Sequence, residues 1–237
     1  MTKPINFLIL LMIAFGMIAC DNTQTGADTA NAMTDSVSLE NTIPADDVKA
    51  SNLSLNDING KYIIDQGSIV SWTGTSAIKN HVGTLNIKSG EFNLENGVIK
   101  SGSFVMDMSS LVNTDLTSDK GKEKLEKHLK SEDFFDVEKY PEATFTVKNS
   151  QIVTGNDKVT HKINGDLKVK DISQPLTLEA YVIASDEGKV ITATTGNFEI
   201  DRTKYGIKYN SGVINTAKDK IIHDELGLVI NIRAKKS

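Results

Sequence analysis

The sequence predicts an all-β domain, either a sandwich or a barrel, that carries one short helix. Three observations support this prediction. From about residue 60 onward, apolar residues alternate with polar ones, as in strands that bury one face. Turn residues such as glycine and asparagine separate these runs. One segment, residues 118–130, has helical periodicity instead. Short, evenly spaced strands joined by tight turns are typical of sandwiches and barrels.

Five runs show the alternation most clearly. Their apolar residues are Phe104, Met106 and Met108; Ala143, Phe145 and Val147; Ile163, Leu167 and Val169; Leu176, Leu178, Ala180 and Val182; and Leu228, Ile230 and Ile232. Each run is therefore predicted to be a strand with one apolar face. Hairpin signals occur at Glu95-Asn96-Gly97, Gly155-Asn156-Asp157 and Asp186-Glu187-Gly188.

The segment 118–130, SDKGKEKLEKHLK, interrupts the strand pattern. Leu125 and Leu129 are four residues apart and lysines surround them, which predicts a short amphipathic helix. Ser118 or Asp119 is the expected N-cap of this helix. Because the segment lies between predicted strands, we expect the helix to close one mouth of the domain.

The first 20 residues resemble the export signal of a bacterial lipoprotein. Lys3 precedes an uncharged run of 13 residues, Phe7–Ala19, which is shorter than the ~20 residues that span a bilayer and matches a signal-peptide core. Met17-Ile18-Ala19-Cys20 resembles a lipobox, with Met17 where leucine is usual. The resemblance implies a signal peptide over 1–19, cleavage before Cys20 and lipidation of the Cys20 sulfur. An ordinary signal peptide followed by a chance cysteine is the alternative.

Residues 20–58 are predicted to be a flexible acidic tether. Residues 21–50 hold six acidic side chains and one basic one, Lys49, and bury too little apolar surface to offset the entropy of ordering. An acidic interaction tail is the alternative. Residues 59–237 then form one domain, and the region 51–237 is nearly neutral, with 24 basic and 25 acidic residues.

Composition and motifs argue against several classes of function. The net charge is −5 and aromatic residues are 6% of the chain, so nucleic acid is not an expected partner. One cysteine and four scattered histidines, His81, His128, His161 and His223, predict no metal site. The sequence has neither a G-x-S-x-G motif nor a glycine-rich loop before a helix, so we predict no cofactor, no catalytic residues and no enzyme.

Three motifs carry a resemblance to a known family. They are HLKSEDFFD at 128–136, GDLKVKDISQPLTL at 165–178 and FEIDRTKYGI at 198–207. Their order and spacing resemble the YceI-like polyisoprenoid-binding family over about residues 60–234. The family's usual basic residue before the proline of the second motif is replaced by Gln174, and its usual glycine near Asp171 is absent.

The resemblance implies an eight-stranded antiparallel, lipocalin-like barrel with the short helix inserted between strands. It also implies that an isoprenoid-type lipid, such as a polyprenyl phosphate or the tail of a quinone, binds in an apolar lumen without enzymatic chemistry. Alternation alone predicts a cavity and a filled core about equally, since every barrel has inward apolar residues. The resemblance favours the cavity.

Ten apolar residues form the predicted lipid-binding set. They are Phe104, Met106, Met108, Phe134, Phe135, Phe145, Leu167, Val169, Leu178 and Val182. Methionines suit such a lining because their flexible side chains adapt to irregular ligands. Phe134 and Phe135 follow the helix directly. They are expected to plug the mouth or line the ligand site, to anchor the helix to the barrel, or to do both.

Arg202 and His128 are the candidates for contact with a lipid head group. A guanidinium group can bind a phosphate through two parallel hydrogen bonds. Asp201 and Glu199 are close to Arg202 in the sequence, so a structural ion pair is the alternative role. A structural role is likewise the alternative for His128.

These observations predict an exported carrier or store of an isoprenoid lipid, anchored through Cys20 to a bacterial envelope membrane with its domain facing the periplasm or the outside. The alternatives are a structural or interaction lipoprotein with a filled barrel and, with less support, an enzyme that acts on a lipid. The sequence sets neither the identity of the lipid nor the oligomeric state.

Overall fold

The computed structural model describes residues 54–212 and 216–237. The predicted signal peptide (1–19), the predicted lipidation site Cys20 and most of the predicted tether lie outside the described residues. Within the described part of the chain, no helix combines the length and the apolar character needed to cross a membrane.

The described residues form ten strands and one α-helix, and all strand pairs are antiparallel. The strands are β1 (Gly60–Ile64), β2 (Ile69–Ser76), β3 (Asn80–Glu95), β4 (Val98–Asn113), β5 (Glu142–Ile152), β6 (His161–Val169), β7 (Ile172–Ser185), β8 (Val190–Thr195), β9 (Phe198–Asp201) and β10 (Ile222–Lys236). Helix α1 (Lys122–Lys130) lies between β4 and β5. The five runs that alternate most clearly in the sequence lie in β4, β5, β6, β7 and β10.

The sheet closes into a ring with eight strand positions. From β2 to β8, each strand pairs with the next one in the sequence, and β10 closes the ring by pairing with β8 and β2. Strand β1 lies between β10 and β3 and continues the position of β2. Strand β9 pairs with β10 and continues the position of β8. The predicted eight-stranded antiparallel barrel with one inserted helix is therefore confirmed, and two of its positions are each divided into two short strands.

The helical segment differs in detail from its prediction. Ser118–Lys120 forms a separate 3₁₀ turn, and Gly121 breaks the helix with a φ of 92°. Glycine occupies this left-handed conformation at little cost. The expected cap is wrong, because Gly121 is the N-cap of α1 and Ser118 Oγ instead donates a hydrogen bond to Glu123 Oε1 at 2.6 Å.

The two ends of the barrel are built differently. The closed end holds the β3–β4 turn at Asn96-Gly97, the β7–β8 turn and the start of β1, and the other end, which we call the mouth, holds α1 and a 3₁₀ helix over Arg202–Tyr205. At the closed end, Ser54 to Ile58 fall within the predicted tether. Ile58 is nevertheless buried, and its carbonyl accepts a hydrogen bond from Gly97 N at 3.0 Å.

Candidate functional site

A cavity of about 260 Å³ lies inside the barrel. Its walls are the inward faces of the strands, whose apolar residues alternate with outward polar ones. At the mouth it is lined by exposed residues, including Lys79 and His223, so it opens to solvent there. The interior is therefore not filled by side chains, which agrees with the expectation drawn from the family resemblance.

All ten residues of the predicted lipid-binding set line this cavity. They are Phe104, Met106, Met108, Phe134, Phe135, Phe145, Leu167, Val169, Leu178 and Val182. The structure brings them together from β4, β5, β6, β7 and the segment after α1. That they contact a lipid stays a prediction.

The central part of the wall is a row of aromatic rings across neighbouring strands. Phe104 on β4 is paired with Phe145 on β5, and their ring centroids are 6.5 Å apart. Gly165 on β6 makes room for this arrangement, because a Cβ atom at that position would lie 2.5 Å from Cζ of Phe145. The glycine of the second family motif therefore has a packing role next to the cavity.

The closed end is sealed by buried groups that hydrogen-bond to the turns. The Tyr62 ring stacks on Phe92 with a centroid distance of 5.4 Å, and its hydroxyl donates to the Gly188 carbonyl at 2.5 Å. The His161 side chain is fully buried, with Nε2 2.8 Å from the Gly97 carbonyl and Nδ1 2.9 Å from Thr160 Oγ1. Burial lowers the pKa of His161 and raises that of Tyr62, so both side chains favour their neutral forms.

Sequence reasoning gave no role to His161 or Tyr62. A signal for His161 was present, since it lies two residues before Ile163 and so shares the inward face of β6. A polar residue at an inward position indicates either a ligand contact or a satisfied buried group. The two hydrogen-bonding contacts of His161 identify the second case.

The mouth carries most of the polar side chains that line the cavity. Those that are histidine or carry a charge are Lys79, His81, His128, Arg202, His223 and Glu225. Only His128 and Arg202 were predicted, because the others belong to β2–β3 and β10 segments that lack a family motif. Two of the histidines contact carboxylates: His81 Nδ1 lies 2.8 Å from Asp115 Oδ2, and His128 Nε2 lies 3.1 Å from Asp133 Oδ2.

Arg202 is held mainly by the protein itself. Its side chain is 5% exposed, and it donates to the carbonyls of His223, Ile207 and Ile222 at 2.9–3.0 Å and to Asp224 Oδ1 at 3.1 Å. Burial lowers the pKa of Arg202, and the nearby Asp224 carboxylate opposes that shift. A structural pair thus exists, but with Asp224. The alternative partner Asp201 instead accepts hydrogen bonds from Thr203. Contact between Arg202 and a lipid head group stays a prediction.

The two phenylalanines after α1 combine the two roles considered for them. Phe134 packs against the rings of His128 and Tyr209, with centroid distances of 5.0 and 5.3 Å. The backbone N–H of Phe135 donates to the Leu129 carbonyl at 3.2 Å. Both residues also line the cavity, so they attach the helix to the barrel and form part of the wall.

Trp72, on β2, is the single tryptophan of the chain and lines the cavity. Its indole Nε1 is buried and has no hydrogen-bond partner among the described residues. An indole in a cavity wall changes environment when the cavity is filled. The fluorescence of Trp72 is therefore a built-in readout of cavity occupancy.

Within residues 54–212 and 216–237, no group of three or more histidine, cysteine or acidic side chains could hold a metal ion. The described site has an apolar lining, with polar side chains around its opening at the mouth. Such a lining suits the binding of an apolar chain.

Comparison with known proteins places these features in a family. The model of the YceI-like domain matches residues 62–234. A UPF0312 protein of Vibrio parahaemolyticus is 34% identical over 119 residues, and the match covers 49% of this chain and 56% of that protein. The chain thus spans little more than half the length of that relative. A UPF0312 protein of Shewanella baltica is 28% identical over 179 residues, covering 71% of this chain and 85% of the relative.

Two solved structures share the fold. BcnA of Burkholderia cenocepacia has a TM-score of 0.54 at 20% identity, covering 71% of this chain and 96% of BcnA. A polyisoprenoid binding domain from Saccharophagus degradans has a TM-score of 0.54 at 14% identity, covering 74% of this chain and 98% of that domain. At these identities the likeness establishes the fold.

Proposed function

This chain belongs to the family of YceI-like domains, and on that premise we propose that it binds an isoprenoid-type lipid as a carrier or store. The observation that carries the proposal is the apolar cavity, which is open at the mouth and sealed at the closed end. The barrel of a polyisoprenoid binding domain has the same fold. A polyprenyl phosphate and a quinone with an isoprenoid tail are the candidate ligands.

Burial of the chain provides the binding energy. Removing apolar surface from water yields about 25 cal/mol per Å², so a few hundred Å² gives several kcal/mol before the costs of association. Met106 and Met108 adapt to the methyl branches of such a chain. The rings of Phe104 and Phe145 supply rigid apolar contact area.

The polar rim sets the direction in which the lipid binds. A polar head group loses several kcal/mol if it is buried without hydrogen bonds, and the closed end has donors and acceptors that are already engaged. The mouth offers Lys79, His81 and His128 beside the opening. The chain therefore enters first, and the head group stays at the mouth.

The proposed location follows from the N-terminal sequence. Lipidation of Cys20 would anchor the protein to a bacterial envelope membrane, and the tether would hold the domain near that surface. An isoprenoid chain is nearly insoluble in water. A barrel that covers the chain near the membrane therefore lowers the free-energy cost of transferring the lipid out of the bilayer.

The two alternative functions have less support. A structural lipoprotein with a filled barrel conflicts with the cavity of about 260 Å³. The YceI-like family and the polyisoprenoid binding domain of Saccharophagus degradans point to a binding protein rather than an enzyme.

The test is to purify the full-length chain, extract it with organic solvent and identify the extracted lipids by mass spectrometry. We expect an isoprenoid lipid in stoichiometric amount. The variant Ala143→Trp places a large ring at an inward, buried position and should lose the lipid. Its matched control, Thr146→Trp, faces outward on the same strand and should retain it. Repeatedly empty wild-type protein, even after incubation with isoprenoid lipids, would overturn the proposal.

A further inference from the structure

The barrel wall has a seam where two neighbouring strands are not paired. Strand β7 pairs with β6 from Ile172 to Ala180 and with β8 from Ala180 to Ser185. Strand β9 pairs with β10 on its other side. Among the described residues, no backbone pairing joins β9 to the first half of β7. The wall of the ring is therefore not closed by backbone hydrogen bonds along this stretch.

Two of the family motifs meet at the seam. The second motif contributes Gln174, Pro175 and Leu176 on β7, and the third contributes β9 and the 3₁₀ helix that follows it. Pro175 has no backbone N–H and is tolerated in sheets at unpaired edges. Gln174 Nε2 donates to the Lys204 carbonyl at 3.2 Å, so a side chain bridges the gap where backbone pairs would otherwise run.

A groove of about 210 Å³ follows the outside of the seam. Two residues line both this groove and the central cavity: Leu176 and Ile200. Both are only partly buried, whereas Leu178, the next inward residue on β7, is 4% exposed. The partition between the cavity and the groove therefore consists of two apolar side chains, and no strand pairing between β7 and β9 reinforces it.

The cavity is too small to enclose a long lipid chain, so a second opening would give the rest of the chain a way out of the barrel. Pockets for drug-sized ligands have volumes of roughly 300–1,000 Å³, and this cavity, at about 260 Å³, is smaller. Tyr62 and His161 block the closed end with buried, hydrogen-bonded groups. A lipid with many isoprene units is longer than the cavity, so part of its chain has to leave the barrel.

Resting on the proposed function, we propose that the seam is a side opening of the cavity through which the chain of a long isoprenoid lipid passes. The chain crosses the wall between Leu176 and Ile200, and these two side chains determine the length of chain that the protein accepts. Displacing them requires changes of side-chain rotamer and breaks no strand pairing. Leu176 and Ile200 are apolar, so they suit contact with the chain where it crosses the wall.

The test compares a short and a long probe, farnesol with three isoprene units and octaprenol with eight. Each probe is incorporated into phosphatidylcholine vesicles to which the full-length protein is bound. The change in Trp72 fluorescence measures binding of the probe. The double variant Leu176→Phe/Ile200→Phe narrows the seam. We expect it to weaken octaprenol binding about tenfold more than it weakens farnesol binding, a difference equivalent to ~1.4 kcal/mol. The outward control Thr177→Phe should bind both probes as wild type does.

A second variant opens the seam. Leu176→Ala/Ile200→Ala should take up octaprenol faster than wild type, and the gain should be larger for octaprenol than for farnesol. If wild type binds both probes and neither double variant alters octaprenol binding or uptake, the side opening is wrong while the proposed function stands. If wild type binds neither probe, the proposed function fails and the side opening fails with it. Should the phenylalanine variant not fold, the alanine variant decides the result.

Discussion

The closed end and the mouth of this barrel are built from the same alternating pattern but differ in what their inward polar groups contact. At the closed end, the Tyr62 hydroxyl and the His161 ring contact turn carbonyls and are fully buried. At the mouth, His81 and His128 contact carboxylates and stand beside an open cavity. One end therefore resembles an ordinary core, and the other resembles a binding site.

The difference teaches that alternation specifies a barrel without specifying whether it is full. Inward residues fill the closed end because large side chains from several strands converge there, including Leu94 and Ile191. Toward the mouth, Ala143 and Ala193 are among the residues that line the cavity. Substitutions at the closed end should therefore change the free energy of unfolding. For substitutions at the mouth, the free energy of unfolding and the affinity for lipid should change independently of each other.

The largest effect is expected at the closed end. Tyr62→Ala removes a fully buried ring and should reduce the free energy of unfolding by about 3–5 kcal/mol, as measured by urea denaturation. Tyr62→Phe keeps the ring stacked on Phe92 and leaves the Gly188 carbonyl without its donor, at a cost of ~1–3 kcal/mol. A loss below ~1 kcal/mol for Tyr62→Ala would show that this end is not a packed core.

A somewhat smaller effect is expected at Arg202, at the mouth. Arg202→Gln removes the guanidinium donor from Asp224 Oδ1 and from three carbonyls, and it should reduce the free energy of unfolding by about 3 kcal/mol. Arg233→Gln is the control, because this arginine is 54% exposed and its contact with Asp65 contributes less than ~1 kcal/mol.

The same variant separates the two roles considered for Arg202. If the role is structural, Arg202→Gln leaves the relative affinity for octaprenyl phosphate and octaprenol unchanged. Loss of a preference for the phosphate, with stability intact, would identify Arg202 as a head-group ligand instead. Trp72 fluorescence titration with both lipids measures the preference.

The smallest effect is a pH dependence from the closed end. Burial lowers the pKa of His161 below its ordinary value of 6.5, so the unfolded chain binds a proton more readily than the folded one. Stability from His161 is full above about pH 6.5 and is lost as the pH falls toward the lowered pKa, by at most ~1.4 kcal/mol per pH unit. Urea denaturation of wild type and His161→Gln at several pH values isolates this contribution. Identical pH profiles would contradict it.

Much of the fold follows from local pattern. Period-two runs identify strands such as β4 and β5 because inward and outward residues alternate strictly there, and asparagine and glycine mark the β3–β4 turn. The helix at 118–130 was predicted as one piece, and Gly121 divides it. The division of two strand positions, β1 with β2 and β8 with β9, depends on how the ring closes, which no local pattern reports.

The site is less predictable than the fold. All ten predicted lining residues line the cavity, and the eight that lie on strands could be predicted because the face of a strand is a local property. The partner of Arg202 is Asp224 on β10 rather than its sequence neighbours Glu199 and Asp201. That choice depends on the pairing of β9 with β10, which is a long-range contact. The presence of a cavity likewise depends on summed side-chain volumes from all strands.

Strand β10 has a consequence for the order in which the molecule assembles. It contacts β1 and β2 on one edge and β8 and β9 on the other, and it is the last of the described strands in chain order. During synthesis, residues 60–201 can form hairpins one after another, but they leave an open sheet with an uncovered apolar face. Such a sheet is prone to aggregation, so the nascent protein stays vulnerable until residues 222–236 have been made.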